Sequence, residues 1–179
     1  MVILFSEFDK IEEFKYKFLY NFLPKSRRVK VDNLKNPIDK KIAIIEYFII
    51  KHFLKIKGNP DFKYSENGKP FYSNKHFNIS HCDNILVIAI SEQEVGVDIQ
   101  RLLIYDEKLI KHICNENEIN QLVKDSKSLT QLWTQKESLI KCMGGTIACD
   151  LKNILKNSDG FEFSFYEQGD YIISLCKKL

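Results

Sequence analysis

The sequence lacks the features that mark several large classes of protein. Its longest apolar run, from Ile42 to Ile50, is broken by Glu46 and is too short to span a bilayer. The first residues have no basic segment, long apolar segment or small-residue cleavage site, so no secretory signal is predicted. Lys and Arg exceed Asp and Glu by only 27 to 24, without the strong basic excess of nucleic-acid-binding proteins. We therefore expect a cytoplasmic protein that binds neither membranes nor nucleic acids.

Cysteine usage excludes two further classes of small protein. The five cysteines are odd in number, and no two of them have CxxC spacing. Neither a disulfide framework nor a zinc ribbon is predicted, and reduced, mostly buried thiols are expected instead. The content of 44% hydrophobic and 28% charged residues is typical of a globular protein, and 179 residues suffice for one domain or two small lobes.

Hydrophobic periodicity predicts helices and strands in separate groups, and therefore an α+β fold. In the first half we expect a helix that follows Ser6, then a basic loop at 25–30, then a helix from Asn36 to Gly58, and a turn at Asn67 and Gly68. The first helix is expected to bury one aromatic and aliphatic stripe: Phe8, Ile11, Phe14, Phe18 and Phe22.

The rest of the chain gives further strands and helices. Strands are predicted at 76–80, 85–90, 95–100, 149–155, 161–166 and 171–176. Helices are predicted at 107–113, from Asn115 onward, and at 128–143. Helices precede strands in each half, which suggests two similar lobes joined near 91–94.

Two segments carry carboxylates that could bind a cation. On the predicted strand 95–100, Asp98 and Gln100 share one face, although a solvated Asp on a half-exposed strand is an equally good interpretation. On the predicted helix 128–143, Glu137 and Lys141 lie one turn apart, and a surface ion pair is the simpler interpretation of that spacing.

Two other segments carry groups that could contact an anion. Ser80 and His81 would point to opposite faces of a strand, so a direct Ser–His pair is not expected. A serine hydrolase also lacks support because Ser80 has no GxSxG context. Lys69 follows a Gly and precedes a Pro at an expected turn.

Oxygen donors without a nitrogen–sulfur cluster suit Mg²⁺, and the nearby cations suit phosphates. Together they point to group transfer on a polyphosphate ester.

The ordered motifs GKP, FNISH, GVDIQ and WTQKESLIK, which run from Gly68 to Lys141, resemble those of the 4′-phosphopantetheinyl transferases. The similarity is greatest to the two-lobed subfamily that activates carrier domains of peptide and polyketide synthetases. The resemblance implies transfer of the phosphopantetheine arm of coenzyme A onto a serine of an acyl or peptidyl carrier protein, with release of 3′,5′-ADP. It also implies two pseudo-symmetric lobes, 1–92 and 93–179, each a small, mostly antiparallel sheet packed with helices. Coenzyme A would lie in the cleft between them.

The resemblance also assigns roles to individual residues. Asp98 and Glu137 match metal ligands, with Mg²⁺ as the expected ion and Glu137 also as the proposed base, while Gln100 stands where many relatives have a third, acidic ligand. Lys141 matches a lysine near the phosphates. Four residues match positions on the nucleotide side of coenzyme A: Lys41, Lys69, Ser80 and His81.

Three further expectations complete the sequence analysis. Glu118 matches a family Glu between the metal strand and the WxxKE helix, and the glycines after Lys141 are displaced from the family's KxxGxG pattern, which predicts a different loop. One chain carries both walls of the cleft, so a monomer is expected. The alternative function is a non-catalytic module that binds coenzyme A or a carrier protein, and the neutral Gln100 is the feature that favours it.

Overall fold

A computed structural model describes residues 1–6, 8–65, 69–145 and 150–179, and it shows the predicted α+β fold. The first half contains β1 (Val2–Ser6), α1 (Glu13–Asn21), α2 (Lys25–Asn33), α3 (Pro37–Phe53), β2 (Lys63–Tyr64), β3 (Pro70–Tyr72), β4 (Lys75–Cys82) and β5 (Ile85–Ser91). The second contains β6 (Val95–Arg101), α4 (Glu107–Ile113), α5 (Glu116–Gln121), α6 (Ser126–Met143), β7 (Phe161–Gln168) and β8 (Tyr171–Lys178). No helix in these ranges is long and apolar enough to cross a bilayer.

Both halves follow one chain path. Each begins with a strand, continues through two short helices and one long helix, and ends with a strand that pairs antiparallel with the first. In the first half β5 returns to β1 within a sheet of order β1-β5-β4-β3-β2, and in the second β8 returns to β6 within a sheet of order β6-β8-β7. The two antiparallel sheets confirm the expected architecture, although they differ in strand number.

The long helices begin and end where local chemistry predicts. The Asn36 side chain accepts a hydrogen bond from the backbone N–H of Ile38 at 2.9 Å, and Pro37 occupies the first turn of α3. Asp125 caps α6 in the same way. Gly144 ends α6 with a left-handed φ of 72°, a conformation that costs glycine little.

The prediction for the first helix is wrong in both start and phase. The residues before it form β1, which pairs with β5, and α1 begins only at Glu13. Three of the five residues of the expected stripe are exposed, since Phe14, Phe18 and Phe22 are 62%, 61% and 47% accessible, whereas Phe8 is buried and Ile11 is half-buried. Tyr16 and Leu23 are buried instead. Helix α1 therefore packs on the core through its other face, which carries Tyr16.

Three further local predictions also fail. The expected basic loop 25–30 is helix α2, whose Arg27 is buried, forms an ion pair with Glu46 and donates to the Ala43 carbonyl at 3.1 Å. The expected strand 149–155 is a turn that leads into a 3₁₀ segment, Ile154–Asn157, over the part the structure describes. Cys149 and the predicted turn at Asn67–Gly68 lie outside the described residues. Helix α3 ends at Phe53 rather than near Gly58.

The two sheets are joined by an unusual contact between β4 and β6. Alternate side chains of β4 accept hydrogen bonds from alternate backbone N–H groups of β6: Asn78 from Val97 at 2.9 Å, Ser80 from Ile99 at 3.4 Å, and Cys82 from Arg101 at 3.4 Å. These bonds satisfy the edge of β6 that faces away from β8. The alternation of β4 thereby aims Ser80 at the second half of the chain.

The described cysteines agree with the expectation of free thiols. Cys114, Cys142 and Cys176 are buried, and Cys82 is half-buried.

Candidate active site

Asp98 lies at the centre of β6, where both halves of the chain meet, and is 6% exposed. Its Oδ1 accepts a hydrogen bond from Ser80 Oγ at 2.8 Å and from Lys141 Nζ at 2.6 Å. Lys141 Nζ also lies 3.0 Å from Ser80 Oγ. Residues from β4, β6 and α6 therefore form one closed triangle of polar groups, so the interpretation of Asp98 as a solvated surface residue is wrong.

Gly96 explains how α6 comes so close to β6. A Cβ atom at this position would lie 2.0 Å from the Ser138 carbonyl oxygen and 2.4 Å from the Cys142 nitrogen. Both are backbone atoms, so only glycine permits this approach. The close packing places the helix face that carries Glu137 and Lys141 over the strand face that carries Asp98.

Glu137 is buried, with 4% of its surface exposed. Its Oε1 atom has no hydrogen-bond partner among the described residues. Burial raises the pKa of Glu137, the neighbouring Asp98 carboxylate raises it further, and Lys141 partly offsets both. The predicted alternative, a surface ion pair between Glu137 and Lys141, is wrong: Lys141 bonds to Asp98, the tertiary neighbour, rather than to the carboxylate one turn away.

These residues fit a hard divalent cation. Two neighbouring buried carboxylates, one with an orphaned oxygen, leave negative charge that is only partly neutralised by Lys141. No three His, Cys, Asp or Glu side chains converge in the described part of the chain. Mg²⁺ accepts such sparse sites because it retains several waters and shares substrate phosphates. Gln100 is half-buried two residues along β6, on the face of Asp98, and offers a neutral oxygen.

Three of the four residues expected on the nucleotide side of coenzyme A, Lys69, Ser80 and His81, lie at three different places in the structure. Lys69 Nζ donates to the Cys142 carbonyl at 2.9 Å, at the end of α6 next to Lys141, and burial lowers its pKa. His81 lies on the opposite face of β4 from Ser80, with Nε2 3.9 Å from Asp39 of α3. Thus Ser80 bonds to Asp98 and not to His81, as the strand geometry predicts.

Lys41, the fourth of these residues, contacts helix α1. Its Nζ forms an ion pair with Glu13 of α1 at 2.9 Å and lies 4.9 Å from the centre of the Tyr16 ring. These contacts direct Lys41 toward α1 and not toward the Asp98 triangle, although it lies two residues after Asp39, the neighbour of His81.

The sequence did not predict the role of Lys136, which holds α6 in place one residue before Glu137. This lysine is fully buried, and its Nζ donates to Glu118 and to the carbonyls of Ile113 and Leu151 at 2.7–2.8 Å. Glu118, whose role was open, also completes the capping box of α5 with Asn115. Lys136 thus ties α6 to three neighbouring segments one residue before Glu137. The signal available in the sequence was that this lysine precedes Glu137 on the face of the helix that turns inward.

Comparison with known proteins agrees with the predicted family. A family model described as the 4′-phosphopantetheinyl transferase superfamily matches residues 94–178, the stretch that contains β6, α6 and both buried carboxylates. The second half of the chain is therefore similar to this superfamily. Three curated 4′-phosphopantetheinyl transferases are similar to it: gsp of Aneurinibacillus migulanus at 33% identity, Sfp of Bacillus subtilis at 27%, and psf-1 of Bacillus pumilus at 24%.

The similarity to these transferases extends beyond the family match. The alignments cover 76%, 74% and 81% of this chain, and thus include much of its first half. They cover 62%, 60% and 68% of the relatives, so the chain spans about three-fifths of the length of the first two.

Proposed function

We propose that the chain transfers the 4′-phosphopantetheine arm of coenzyme A to a serine hydroxyl of an acyl or peptidyl carrier protein, with release of 3′,5′-ADP. The observation that carries this proposal is the buried pair Asp98 and Glu137, which lies next to Lys141 within the part of the chain that matches the superfamily. A carboxylate pair with a nearby ammonium is suited to binding a metal–pyrophosphate group.

Asp98 and Glu137 would hold the cation, with Gln100 directly or through a water. Bound there, Mg²⁺ would spread the charge of the pyrophosphate. Glu137 is the proposed base for the carrier serine, directly or through a water, because it is a carboxylate that lies beside Asp98 and has an oxygen without a hydrogen-bond partner among the described residues. The serine oxygen attacks the β-phosphorus, and the bond from that phosphorus to the ADP oxygen breaks. Lys141 then stabilises the charge that develops on the leaving ADP oxygen.

The remaining expectations concern the architecture. We propose two lobes, 1–92 and 93–179, with coenzyme A between them and its nucleotide end toward Lys69, His81 and Lys41. The contact of β4 with β6 supports this division, because Ser80 of the first half reaches Asp98 of the second in the same chain. No second copy is needed to bring these groups together, so we propose a cytoplasmic monomer.

The transfer is tested with coenzyme A, Mg²⁺ and a panel of apo carrier proteins, by intact-mass spectrometry of each carrier. We expect one carrier to gain the mass of a phosphopantetheine group, and a carrier whose acceptor serine is replaced by alanine to gain none. Binding of coenzyme A without modification of any carrier would instead support the non-catalytic module that the neutral Gln100 favours. Sedimentation at assay dilution, with activity per mole constant on dilution, tests the monomer.

A further inference from the structure

Lys141 contacts the carboxylate of Asp98, one of the two groups proposed to bind a cation. Its Nζ is 2.6 Å from Asp98 Oδ1 and 3.0 Å from Ser80 Oγ, and no other ammonium or guanidinium group among the described residues is within 4.0 Å of that carboxylate. The side chain of Lys141 is 27% exposed, whereas that of Asp98 is only 8% exposed. The ammonium therefore reaches the buried carboxylate from the solvent side and has room to leave it.

A divalent cation on the Asp98 carboxylate would compete with an ammonium at this position. Mg²⁺ binds carboxylate oxygens at about 2.0–2.1 Å, so an ion on Asp98 would lie within a few ångströms of the Lys141 ammonium. Like charges at that separation repel strongly in a buried site. Lysine has a flexible four-carbon stem, so its charge can move while the helix stays in place.

We propose that Lys141 has two positions: one in which it neutralises Asp98, and a second, reached when a divalent cation displaces it, in which it contacts the substrate's phosphates. The proposal rests on the proposed function, which places the cation at Asp98 and Glu137. It gives the chain a coupling between its ligands. When a cation binds alone, it must displace the Lys141 ammonium, which then has no new partner. When a polyphosphate ester is also bound, its phosphates provide that partner. Metal and coenzyme A should therefore bind with positive cooperativity.

The test measures metal binding directly, with Mn²⁺ alone and electron paramagnetic resonance of the free ion. We expect Lys141→Met to bind Mn²⁺ about tenfold more tightly than the wild type, because the competing charge is gone. Lys69→Met is the matched control. It removes the same charge near the same end of α6 but from a lysine that donates to the Cys142 carbonyl rather than to Asp98. We expect it to change the Mn²⁺ affinity much less.

Two further measurements separate displacement from a general effect on the fold. Lys141→Arg keeps a cation at Asp98 and should retain the wild-type Mn²⁺ affinity, and thermal unfolding shows whether each variant is folded. In the wild type, addition of coenzyme A should tighten Mn²⁺ binding, and Lys141→Met should lose most of that gain. The ¹H–¹⁵N signal of the Lys141 ammonium, identified by its absence from Lys141→Met, should shift on addition of Mg²⁺.

The outcomes are distinct. Equal Mn²⁺ affinity of Lys141→Met and the wild type, an equal gain in Lys69→Met, or no Mn²⁺ binding by any variant would overturn the two-position proposal. If Lys141→Met binds Mn²⁺ more tightly but the wild type modifies no carrier protein, the two positions are supported and the proposed transferase function is contradicted. If the wild type modifies a carrier protein but the Mn²⁺ affinities are equal, the transferase function is supported and the two positions are contradicted.

Discussion

Replacement of Gly96 by alanine tests how the active site is assembled. The new Cβ would lie 2.0 Å from the Ser138 carbonyl oxygen, and ordinary contact begins at 3.4 Å, so α6 would have to retreat by up to about 1.4 Å. The atoms it meets are backbone, so no side-chain rotation relieves the clash. The helix that moves carries Glu137 and Lys141, whereas Asp98 stays on β6.

The size of the effect follows from this displacement. Overpacking of this kind costs about 1–3 kcal/mol of folding free energy. A shift of about 1 Å in a catalytic group can lower a rate about 100-fold. We therefore expect Gly96→Ala to remain folded with a reduced melting temperature, and to lose about 100-fold in kcat/KM for carrier modification. Thermal unfolding and a time course of carrier mass measure the two quantities.

The control is Gly169→Ala, in the turn between β7 and β8. Gly169 has a left-handed φ of 56°, unlike Gly96, and its Cβ would have no atom within 4 Å. We expect this variant to be destabilised by about 1–2 kcal/mol, from backbone strain alone, with normal transfer. Wild-type activity in Gly96→Ala, or an equal loss of activity in Gly169→Ala, would refute the argument that this close approach sets the site geometry.

Three other perturbations test separate parts of the account. Lys136→Met should destabilise the fold by about 3–5 kcal/mol in chemical denaturation, because it leaves Glu118 unpaired, and adding Glu118→Gln should recover part of the loss. Burial raises the pKa of Glu137 above its ordinary value of 4.5. The protonated side chain therefore stabilises the fold fully below pH 4.5, and this stabilisation is lost as the pH rises through the raised pKa. Glu137→Gln should therefore raise the metal-free melting temperature at pH 7 but not at pH 4; no difference between the two pH values would contradict this. Gln100→Glu should tighten Mn²⁺ binding, and an unchanged titration would place this residue away from the ion.

The elements that form the site were predictable because their signals are local. Alternation along β6 places Asp98 and Gln100 on one face, and a spacing of four residues places Glu137 and Lys141 on one face of α6. Gly96 lies on the same face of β6 as Asp98, and the backbone of α6 packs directly against it. Two of the four family motifs, GVDIQ and WTQKESLIK, lie on these same elements.

Long-range contacts account for what the sequence did not predict. The partner of Lys141 is Asp98, 43 residues away, rather than Glu137, and only the packing of α6 on β6 decides between them. Three aromatic residues of the expected stripe are exposed because α1 packs through its other face, which carries Tyr16. Local periodicity is compatible with burial of either face of α1, so only tertiary packing distinguishes them.

The most direct test of the central claim compares the wild type with Asp98→Asn in one carrier-modification assay. Asparagine keeps the shape of the side chain but removes the charge that is proposed to bind the cation. We expect the wild type to convert an apo carrier protein fully to the phosphopantetheine form in Mg²⁺, and Asp98→Asn to bind coenzyme A yet leave the carrier's mass unchanged. Rapid transfer by Asp98→Asn, or no transfer by the wild type to any apo carrier, would contradict the account.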